Sequence, residues 1–305
     1  MDPSLSAEPE LSALPHDEFV RRLYGLALRR DPEAEVLARA VARLQEGTLS
    51  RASLLRDVVV SEEFTRLRAL DDAVAFAAWA RGAGERPREL RAPPESDERP
   101  IEISWCLARY RGEPRVLDVG YALAEPAYLA ALVGLDAEQL VGVDLTQVDV
   151  PGLTSVQADL RELPFDTGSF DVAFCISTIE HVGADNSRYG VSSAAGGMDD
   201  ALAELRRVSG RVLITVPCGE PADYAWFVQD DPDGWRARFR QADFIVFEDE
   251  IYELTQEGWL SAPGFKSTGV RYGERGEGAS AVLCAELHPR TVGSVARERA
   301  RRLRR

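Results

Sequence analysis

Three apolar runs, each followed by an acidic residue, constrain this chain more than any other feature. The first run carries Asp118 and leads into Gly120, the second ends at Asp144 and the third ends at Asp159. An Ala/Leu-rich segment with helical character separates the first two runs. Buried strands that alternate with helices are typical of a parallel sheet covered on both faces. Ligands of such sheets bind beyond the carboxyl ends of the strands, where these acids would lie.

The pattern of apolar residues predicts an α/β fold with a Rossmann-like, doubly wound and mostly parallel sheet, preceded by a small all-α domain. Helices are expected near residues 101–111, 125–133 and 198–208. The strands are expected at 115–119, 140–144, 154–158, 170–176, 211–216 and 281–287.

Composition divides the chain into four segments. Apolar residues recur at helical spacing over much of 1–86, which predicts a helical module. Pro, Arg and Glu dominate 87–100, which we interpret as a linker. The α/β domain would occupy 101–290, and an Arg-rich tail would follow at 291–305.

The overall charge and the scarcity of metal-binding side chains exclude several classes of function. A formal net charge of −15 argues against general nucleic-acid binding, which needs a basic surface. The four cysteines lack metal-ligand or redox spacing, and the three histidines include no pair suited to zinc, so no metal site is expected. No apolar stretch is long enough to span a membrane and no signal peptide is evident, so we expect a cytoplasmic protein.

The acidic strand ends, taken with the sequence that follows them, resemble class I S-adenosylmethionine-dependent methyltransferases. Residues 163–172 resemble the family's approach to its fourth strand, and residues 201–217 resemble the helix and fifth strand beyond it. Each match is weak when it is taken alone. Together they follow the order and the separations of the family pattern from about residue 100 to 290. The resemblance implies a methyltransferase that uses S-adenosylmethionine as its cofactor.

The resemblance also implies roles for the residues at the strand ends. Asp144 would accept hydrogen bonds from both ribose hydroxyls, Asp159 would lie within reach of the adenine amino group, and Leu160 would pack on the ring. Backbone N–H groups of residues 120–123 could face the methionine carboxylate. The other positions predicted to bind the cofactor are Asp118, Gly120, Tyr121, Leu145 and Ser177.

The turn after the first strand departs from the family pattern. The family continues with further glycines, whereas Tyr121 and Ala122 follow Gly120 here. A nicotinamide-dependent dehydrogenase would need the G-x-G-x-x-G turn for its pyrophosphate, and that turn is absent. The thinned glycine turn leaves open a scaffold that has kept the fold and lost catalysis.

The polar loop after the fourth strand would lie beside the transferring methyl group in this family. A neutral imidazole, with an unperturbed pKa of about 6.5, is suited to take a proton from an alcohol acceptor, so His181 is the candidate catalytic base. The alternative is that His181 packs against the cofactor or orients the loop. Asp185, Asn186 and Tyr189 are candidates for binding the acceptor.

The aromatic residues between 218 and 275 predict an acceptor lid. Aromatic faces beside acids suit a carbohydrate, and Trp226 is the residue that we expect to contact it. The predicted reaction is O-methylation of a hydroxyl on a sugar, a glycan or another small molecule. The alternatives are N-methylation of a small molecule and the inactive scaffold.

The N-terminal segment loosely resembles a short helical module fused to bacterial glycosyltransferases and methyltransferases. The resemblance rests on residues 19–24, 30–33 and 61–64. It implies docking to a protein partner, and a helical cap on the catalytic domain is the alternative.

Overall fold

The computed structural model describes residues 13–185, 187, 197–276 and 278–291. The chain divides into two compact units, Met1–Ala69 and Leu70–Arg305. The division falls within a long helix, earlier in the chain than the boundary expected at residue 86. Thr291 is the one residue of the predicted Arg-rich tail that lies within the described part.

The first unit is helical, as the spacing of its apolar residues predicts. It contains α1 (His16–Leu28), α2 (Ala34–Gln45), α3 (Arg51–Val59) and the beginning of α4 (Glu62–Gly82). Phe19, Val20, Leu23 and Leu44 form part of its buried core. The Ser50 hydroxyl accepts the Ser53 N–H at 3.0 Å and caps α3.

The second unit is built on an eight-stranded sheet with strand order β3–β2–β1–β4–β5–β10–β8–β9. Its helices are α5 (Arg99–Ala108), α6 (Pro126–Val133), α7 (Gly197–Val208) and α8 (Pro232–Gln241). The strands of the sheet are β1 (Arg115–Val119), β2 (Gln139–Asp144), β3 (Thr154–Gln157), β4 (Val172–Ile176), β5 (Val212–Pro217), β8 (Phe244–Thr255), β9 (Gly258–Ser261) and β10 (Ala281–Pro289). A separate ribbon pairs β6 (Ala222–Asp223) with β7 (Val228–Gln229). Among the described residues, no helix has the length and apolar character needed to cross a membrane.

The strand order places a ligand crevice beside β1. Strand β1 pairs in parallel with β2 on one side and with β4 on the other, so that Val119 is level with Val143 and Cys175. The chain fills the sheet outward from β1 to β3 and then returns to β4, which makes the gap between β1 and β4 the topological switch point. The predicted parallel strands are confirmed in this part of the sheet, with ends that differ by at most two residues.

Residues 218–275 form more of the fold than the predicted lid allows. They contain α8, the β6–β7 ribbon and the strands β8 and β9. Most of their large aromatic rings are buried, and the indole N–H of Trp235 donates to the Pro217 carbonyl at 2.9 Å. The lid prediction is corrected accordingly, because apolar packing accounts for most of these rings. The fully buried members are Phe227, Trp235, Phe239, Phe244, Tyr252 and Trp259.

Residues 87–100, predicted as a linker, pack against the sheet. Ala92 forms a β-bridge with Trp259, whose indole N–H donates to the Ser96 carbonyl at 3.0 Å. The Tyr252 hydroxyl donates to the Arg88 carbonyl at 3.0 Å. The four prolines limit regular secondary structure in this segment, but they do not prevent it from packing.

Candidate active site

A cavity of about 560 Å³ lies at the carboxyl ends of the central strands. All three acids predicted from the strand ends line it, namely Asp118, Asp144 and Asp159. Leu145, Leu160 and Ser177, also expected at the cofactor site, contribute to the same wall. The parallel register explains this convergence, because residues that lie far apart along the chain end their strands at one edge.

Backbone amides hold the Asp144 carboxylate in place at the end of β2. Its Oδ2 accepts the Ala122 N–H at 3.2 Å and its Oδ1 accepts the Thr146 N–H at 3.0 Å. Each carboxylate oxygen can accept more than one hydrogen bond. The Asp144 side chain therefore keeps acceptor capacity for a ligand in the cavity.

Gly120 allows the backbone to make a close approach after β1. Its φ of +89° lies in the left-handed region, and a Cβ there would meet Thr178 Oγ1 at 2.4 Å. The Gly120 N–H donates to the Val143 carbonyl at 2.8 Å, and the Ala122 N–H is taken by Asp144. Two of the amides predicted to face the methionine carboxylate are thus already used within the protein.

Tyr121 does not line the cavity with its side chain. The ring is fully buried, and its hydroxyl donates to the Val148 carbonyl at 2.9 Å and accepts the Val148 N–H at 3.0 Å. A Cβ on Gly142 would lie 2.8 Å from the ring, so the glycine makes room for it. Because the Tyr121 ring packs under β2, the predicted contact of this residue with the cofactor would come from its backbone, and it stays a prediction.

Asp118 is buried and hydrogen-bonded within the protein. The Tyr128 hydroxyl donates to its carboxyl group, and burial raises the pKa of Asp118 to about 7. Tyr128 also lines the cavity, and the sequence analysis did not identify it. The only feature of the sequence that could have identified Tyr128 is its position on α6, ten residues after Asp118.

Asp159 lines the cavity and forms an ion pair with Arg161. Arg161 Nε donates to Oδ1 at 2.9 Å and Arg161 Nη2 donates to Oδ2 at 2.6 Å. These hydrogen bonds lower the pKa of Asp159, so the carboxylate is ionised at neutral pH. Arg161 lines the cavity and was also missed from the sequence.

The exit of β4 brings His181 to the cavity. Its Nδ1 lies 2.9 Å from the Trp226 carbonyl oxygen. Because a carbonyl can only accept, we assign the proton to Nδ1, and in the neutral ring Nε2 then carries the lone pair. Nε2 is 3.9 Å from Oε1 of Glu180, a buried carboxyl group whose pKa burial raises to about 7.

Comparison with known families identifies this arrangement. Residues 117–209 match the family model described as a methyltransferase domain. The chain carries a class I S-adenosylmethionine-dependent methyltransferase domain. Residues 4–68 match the model described as a domain of unknown function (DUF4214), which gives the helical module no role. No curated protein matches the chain.

Solved structures similar to the methyltransferase are distant. One is the [4+2]-cyclase SpnF, 16% identical with a TM-score of 0.47, over 75% of this chain and 96% of that chain. Another is the Burkholderia thailandensis 1,6-didemethyltoxoflavin-N1-methyltransferase, 16% identical with a TM-score of 0.41, over 92% of each chain. At these TM-scores neither structure carries an argument about the reaction of this chain.

The residues of the cavity fit S-adenosylmethionine. Gly120 provides a turn that a Cβ would fill, and carboxylates lie where the hydroxyls and amine of a nucleoside would be bound. Leu145 and Leu160 supply apolar surface for an adenine ring between those acids. These carboxylates and apolar side chains therefore match the nucleoside part of the cofactor.

Aromatic rings form a second wall of the methyltransferase cavity. Trp226 and Tyr272 line it, with ring centroids 6.1 Å apart, and the His181 ring lies 5.1 Å from Trp226. Trp226 is 41% exposed, whereas the neighbouring Phe227 ring is buried. Burial raises the pKa of Tyr272 to about 12, so its hydroxyl is protonated at neutral pH.

The other predicted acceptor residues lie outside this wall or outside the described residues. Asp185 is exposed and does not line the cavity, and its Oδ1 accepts the Ser187 N–H at 3.0 Å. This local turn explains why the carboxylate does not join Trp226. Asn186 and Tyr189 lie outside the described residues.

A third wall comes from the segment that was predicted as a linker. Asp97, Glu98 and Arg99 all line the cavity. Arg99 Nη1 donates to Glu102 Oε2 at 2.9 Å, and Glu98 Oε2 accepts the Ala279 N–H at 3.1 Å. Burial raises the pKa of both glutamates. The Pro-rich composition around these residues indicated a linker, which is why the sequence did not reveal them.

Proposed function

We propose that this methyltransferase transfers the methyl group of S-adenosylmethionine to a hydroxyl of a small molecule, with sugars and glycans as the favoured acceptors. The observation that carries the proposal is the position of His181, which lines the cavity while Trp226 fixes its tautomer. This is a suitable arrangement for taking a hydroxyl proton.

His181 Nε2 would accept the proton as the acceptor oxygen forms its bond to the methyl carbon and the bond from that carbon to the sulfonium sulfur breaks, which leaves a neutral thioether. The ring then becomes an imidazolium ion with a proton on each nitrogen. The Trp226 carbonyl keeps the Nδ1 proton, and the nearby Glu180 carboxyl group can stabilise the new positive charge when it is ionised. General base catalysis of this kind contributes roughly 10²- to 10⁴-fold in rate.

The walls of the cavity would position the two reactants. When bound, the cofactor supplies an electrophilic methyl group on a sulfonium sulfur. Asp144 would bind the ribose hydroxyls, Asp159 the adenine amino group, and Leu160 the face of the ring. Fixing the nucleoside in this way aligns the reacting atoms, and alignment supplies much of the acceleration in an in-line displacement.

The aromatic wall supports a sugar as the acceptor. The partly exposed face of Trp226 can pack against the CH face of a pyranose ring, and Tyr272 provides a second ring at the same wall. A protonated Tyr272 hydroxyl can donate a hydrogen bond to a sugar oxygen. A flat apolar face beside polar groups is what a carbohydrate needs.

N-methylation of a small molecule is the second candidate, and the buried acids favour it. Glu98 and Asp97 line the cavity, and Glu102 and Glu180 lie behind its surface. A nitrogen acceptor gains positive charge as it is methylated, and carboxylates stabilise that charge. A hydroxyl acceptor gains no such charge and must lose a proton.

An acceptor screen with isotope-labelled S-adenosylmethionine tests the proposal. Sugars and glycosides form one panel and amines of similar size form the other, and mass spectrometry with NMR locates the new methyl group. We expect label on oxygen in the first panel. Label confined to nitrogen would support the second candidate and overturn O-methylation.

For the helical module we propose docking to a protein partner. Several large apolar side chains of this unit are exposed, including Leu26 at 59% and Val60 at 69%. Crosslinking of the full chain in extract, compared with its Leu26→Glu and Val60→Glu variants, tests the role. A partner that is lost from both variants supports docking, and a pattern unchanged by either contradicts it.

A further inference from the structure

We infer that Arg99 binds the α-carboxylate of the methionine moiety of S-adenosylmethionine, with Glu98 beside it for the α-ammonium group. The inference rests on the assignment of this cavity to the cofactor. It replaces the backbone amides after β1, which the sequence suggested for the carboxylate.

The turn after β1 has few amides left for an anion. The Gly120 N–H donates to Val143, the Ala122 N–H donates to Asp144 and the Ala124 N–H donates to the Tyr121 carbonyl at 3.0 Å. A carboxylate bound by these three amides would have to displace hydrogen bonds that join the turn to β2 or close the turn on itself. An arginine on another wall of the cavity could bind the carboxylate without that loss.

Arg99 has the position and the spare donors for this role. It lines the cavity near the start of α5, and its side chain is 33% exposed. Nη1 donates to Glu102 Oε2, the only carboxylate in the described part of the chain that hydrogen-bonds the Arg99 side chain. A guanidinium group has five N–H donors in a planar fork, so the cavity side can hold a carboxylate in bidentate geometry.

The acids around Arg99 hold it in place for a ligand. Glu102 is fully buried, its contact with Nη1 anchors one edge of the guanidinium, and its Oε1 has no hydrogen-bond partner. The backbone N–H of Arg99 donates to Asp97 Oδ1 at 3.0 Å, and this hydrogen bond fixes the first turn of α5. An arginine anchored at one edge loses little side-chain entropy when it binds an anion at the other.

The second arginine of the cavity is already committed. Arg161 gives its Nε and Nη2 hydrogens to Asp159, on the side of the cavity assigned to adenine. Arg99 instead lies near Glu180, at the end of the sheet where β4 leaves for the reacting loop. The carboxylate of the cofactor would thus meet Arg99 rather than Arg161.

Glu98 complements Arg99 as a partner for the ammonium group. Its side chain is 6% exposed and lines the same wall, and the Ala279 N–H holds its Oε2. Gly278 makes this placement feasible, because a Cβ there would lie 2.3 Å from Glu98 Oε2. The methionine moiety carries its carboxylate and its ammonium group close together. Arg99 and Glu98 are adjacent residues of opposite charge, so they could bind the two groups as a pair.

Calorimetry with two ligands that differ only in the carboxylate tests the inference. Arg99→Gln should weaken the binding of S-adenosylmethionine by about 10- to 100-fold, as expected for loss of a charged hydrogen bond. The same variant should bind decarboxylated S-adenosylmethionine with an affinity within about threefold of the unmodified protein. Arg91→Gln, an exposed arginine of the same segment, should alter neither affinity.

Two controls keep the result interpretable. Arg99→Lys keeps the charge but loses the planar fork, so its affinity for S-adenosylmethionine should fall between those of the unmodified protein and Arg99→Gln. It also provides a second variant if Arg99→Gln fails to fold, which thermal unfolding would reveal.

The outcomes separate this inference from the cofactor assignment. Unchanged S-adenosylmethionine affinity in Arg99→Gln, together with a raised KM for the acceptor, would assign Arg99 to the acceptor and overturn the inference. Equal losses for both ligands would show that the carboxylate is not the partner. If the unmodified protein bound neither ligand, the cofactor assignment itself would fail and the inference with it.

Discussion

The two ends of the cavity differ in how the chain builds them. The cofactor end is made from residues that terminate neighbouring strands, and each follows an apolar run that marks it in the sequence. The other end, where the methionine moiety and the acceptor would lie, combines the segment before α5, the loop after β4 and the aromatic residues 226 and 272. Strand order alone brings the first set together, whereas the second set depends on how irregular segments pack.

This difference predicts how each end responds to substitution. A carboxylate at a strand tip is held by local amides, so its removal should affect cofactor affinity and little else. His181 and Trp226 are held by one another through a backbone carbonyl and ring contact. Changes there should affect turnover and acceptor affinity together, while cofactor affinity stays close to its original value.

The largest expected effect is that of His181→Ala on turnover. Loss of a general base should lower kcat by about 10²- to 10⁴-fold. Affinity for S-adenosylmethionine should change by less than about threefold. Steady-state kinetics over pH gives the check, because the rise in rate that follows deprotonation of the imidazole should vanish in the variant. A variant with full activity would remove His181 as the base.

Asp144→Ala should have the next largest effect, on the cofactor end. Loss of hydrogen bonds from two ribose hydroxyls to a carboxylate should weaken S-adenosylmethionine binding by about 10- to 100-fold. Calorimetric titration measures this directly. Asp149→Ala, which removes an exposed acid of the same loop, serves as the matched control. Equal affinities in the two variants would contradict the placement of the ribose.

Trp226→Ala should have a smaller effect, on the acceptor end. Removal of the stacking face should raise the KM for a sugar acceptor by about 5- to 10-fold, and Trp226→Phe should restore much of the loss. Kinetics with a sugar identified in the acceptor screen would test this. Trp79→Ala serves as the control, because Trp79 belongs to the same unit and is 62% exposed. This variant should leave KM unchanged.

The smallest expected effect concerns stability and pH, through Glu180. Burial raises the pKa of Glu180 from 4.5 to about 7, so between these values the folded state binds more protons than the unfolded state. The free energy of unfolding should therefore fall as pH rises across this window. Glu180→Gln removes one such contribution and should make that fall shallower.

Denaturant unfolding at pH 5 and pH 7.5 would measure the difference. Asp118, Glu98 and Glu102 also have raised pKa values and contribute in the same direction, so some pH dependence should persist in the variant. An unchanged slope in Glu180→Gln would mean that this carboxyl group does not titrate as its burial indicates.

The sequence predicted the parallel strands and the cofactor end well, for a physical reason. Apolar runs reveal buried strands, and an acid at the end of such a run stands out against them. Asp118, Asp144 and Asp159 were identified in this way, and all line the cavity. The Tyr121 ring packs beneath a strand, and spacing alone does not distinguish such a ring from one that faces a ligand.

The end of the cavity opposite the nucleoside could not be predicted to the same extent. Arg99 and Glu98 lie in a segment whose Pro-rich composition indicates a linker, and composition carries no information on packing. Trp226 was found among the aromatic residues of 218–275, but burial and not periodicity separates it from its neighbours Trp235 and Trp259. The Trp259 indole, for example, donates to the Ser96 carbonyl, 163 residues earlier in the chain.

A crystal structure with S-adenosylhomocysteine tests the central claim most directly, because it shows which groups hold the nucleoside. The account predicts both ribose hydroxyls within hydrogen-bond distance of the Asp144 carboxylate, with adenine between Leu160 and the Asp159 side of the cavity. A nucleoside bound elsewhere, or one that leaves Asp144 without contact, would contradict it.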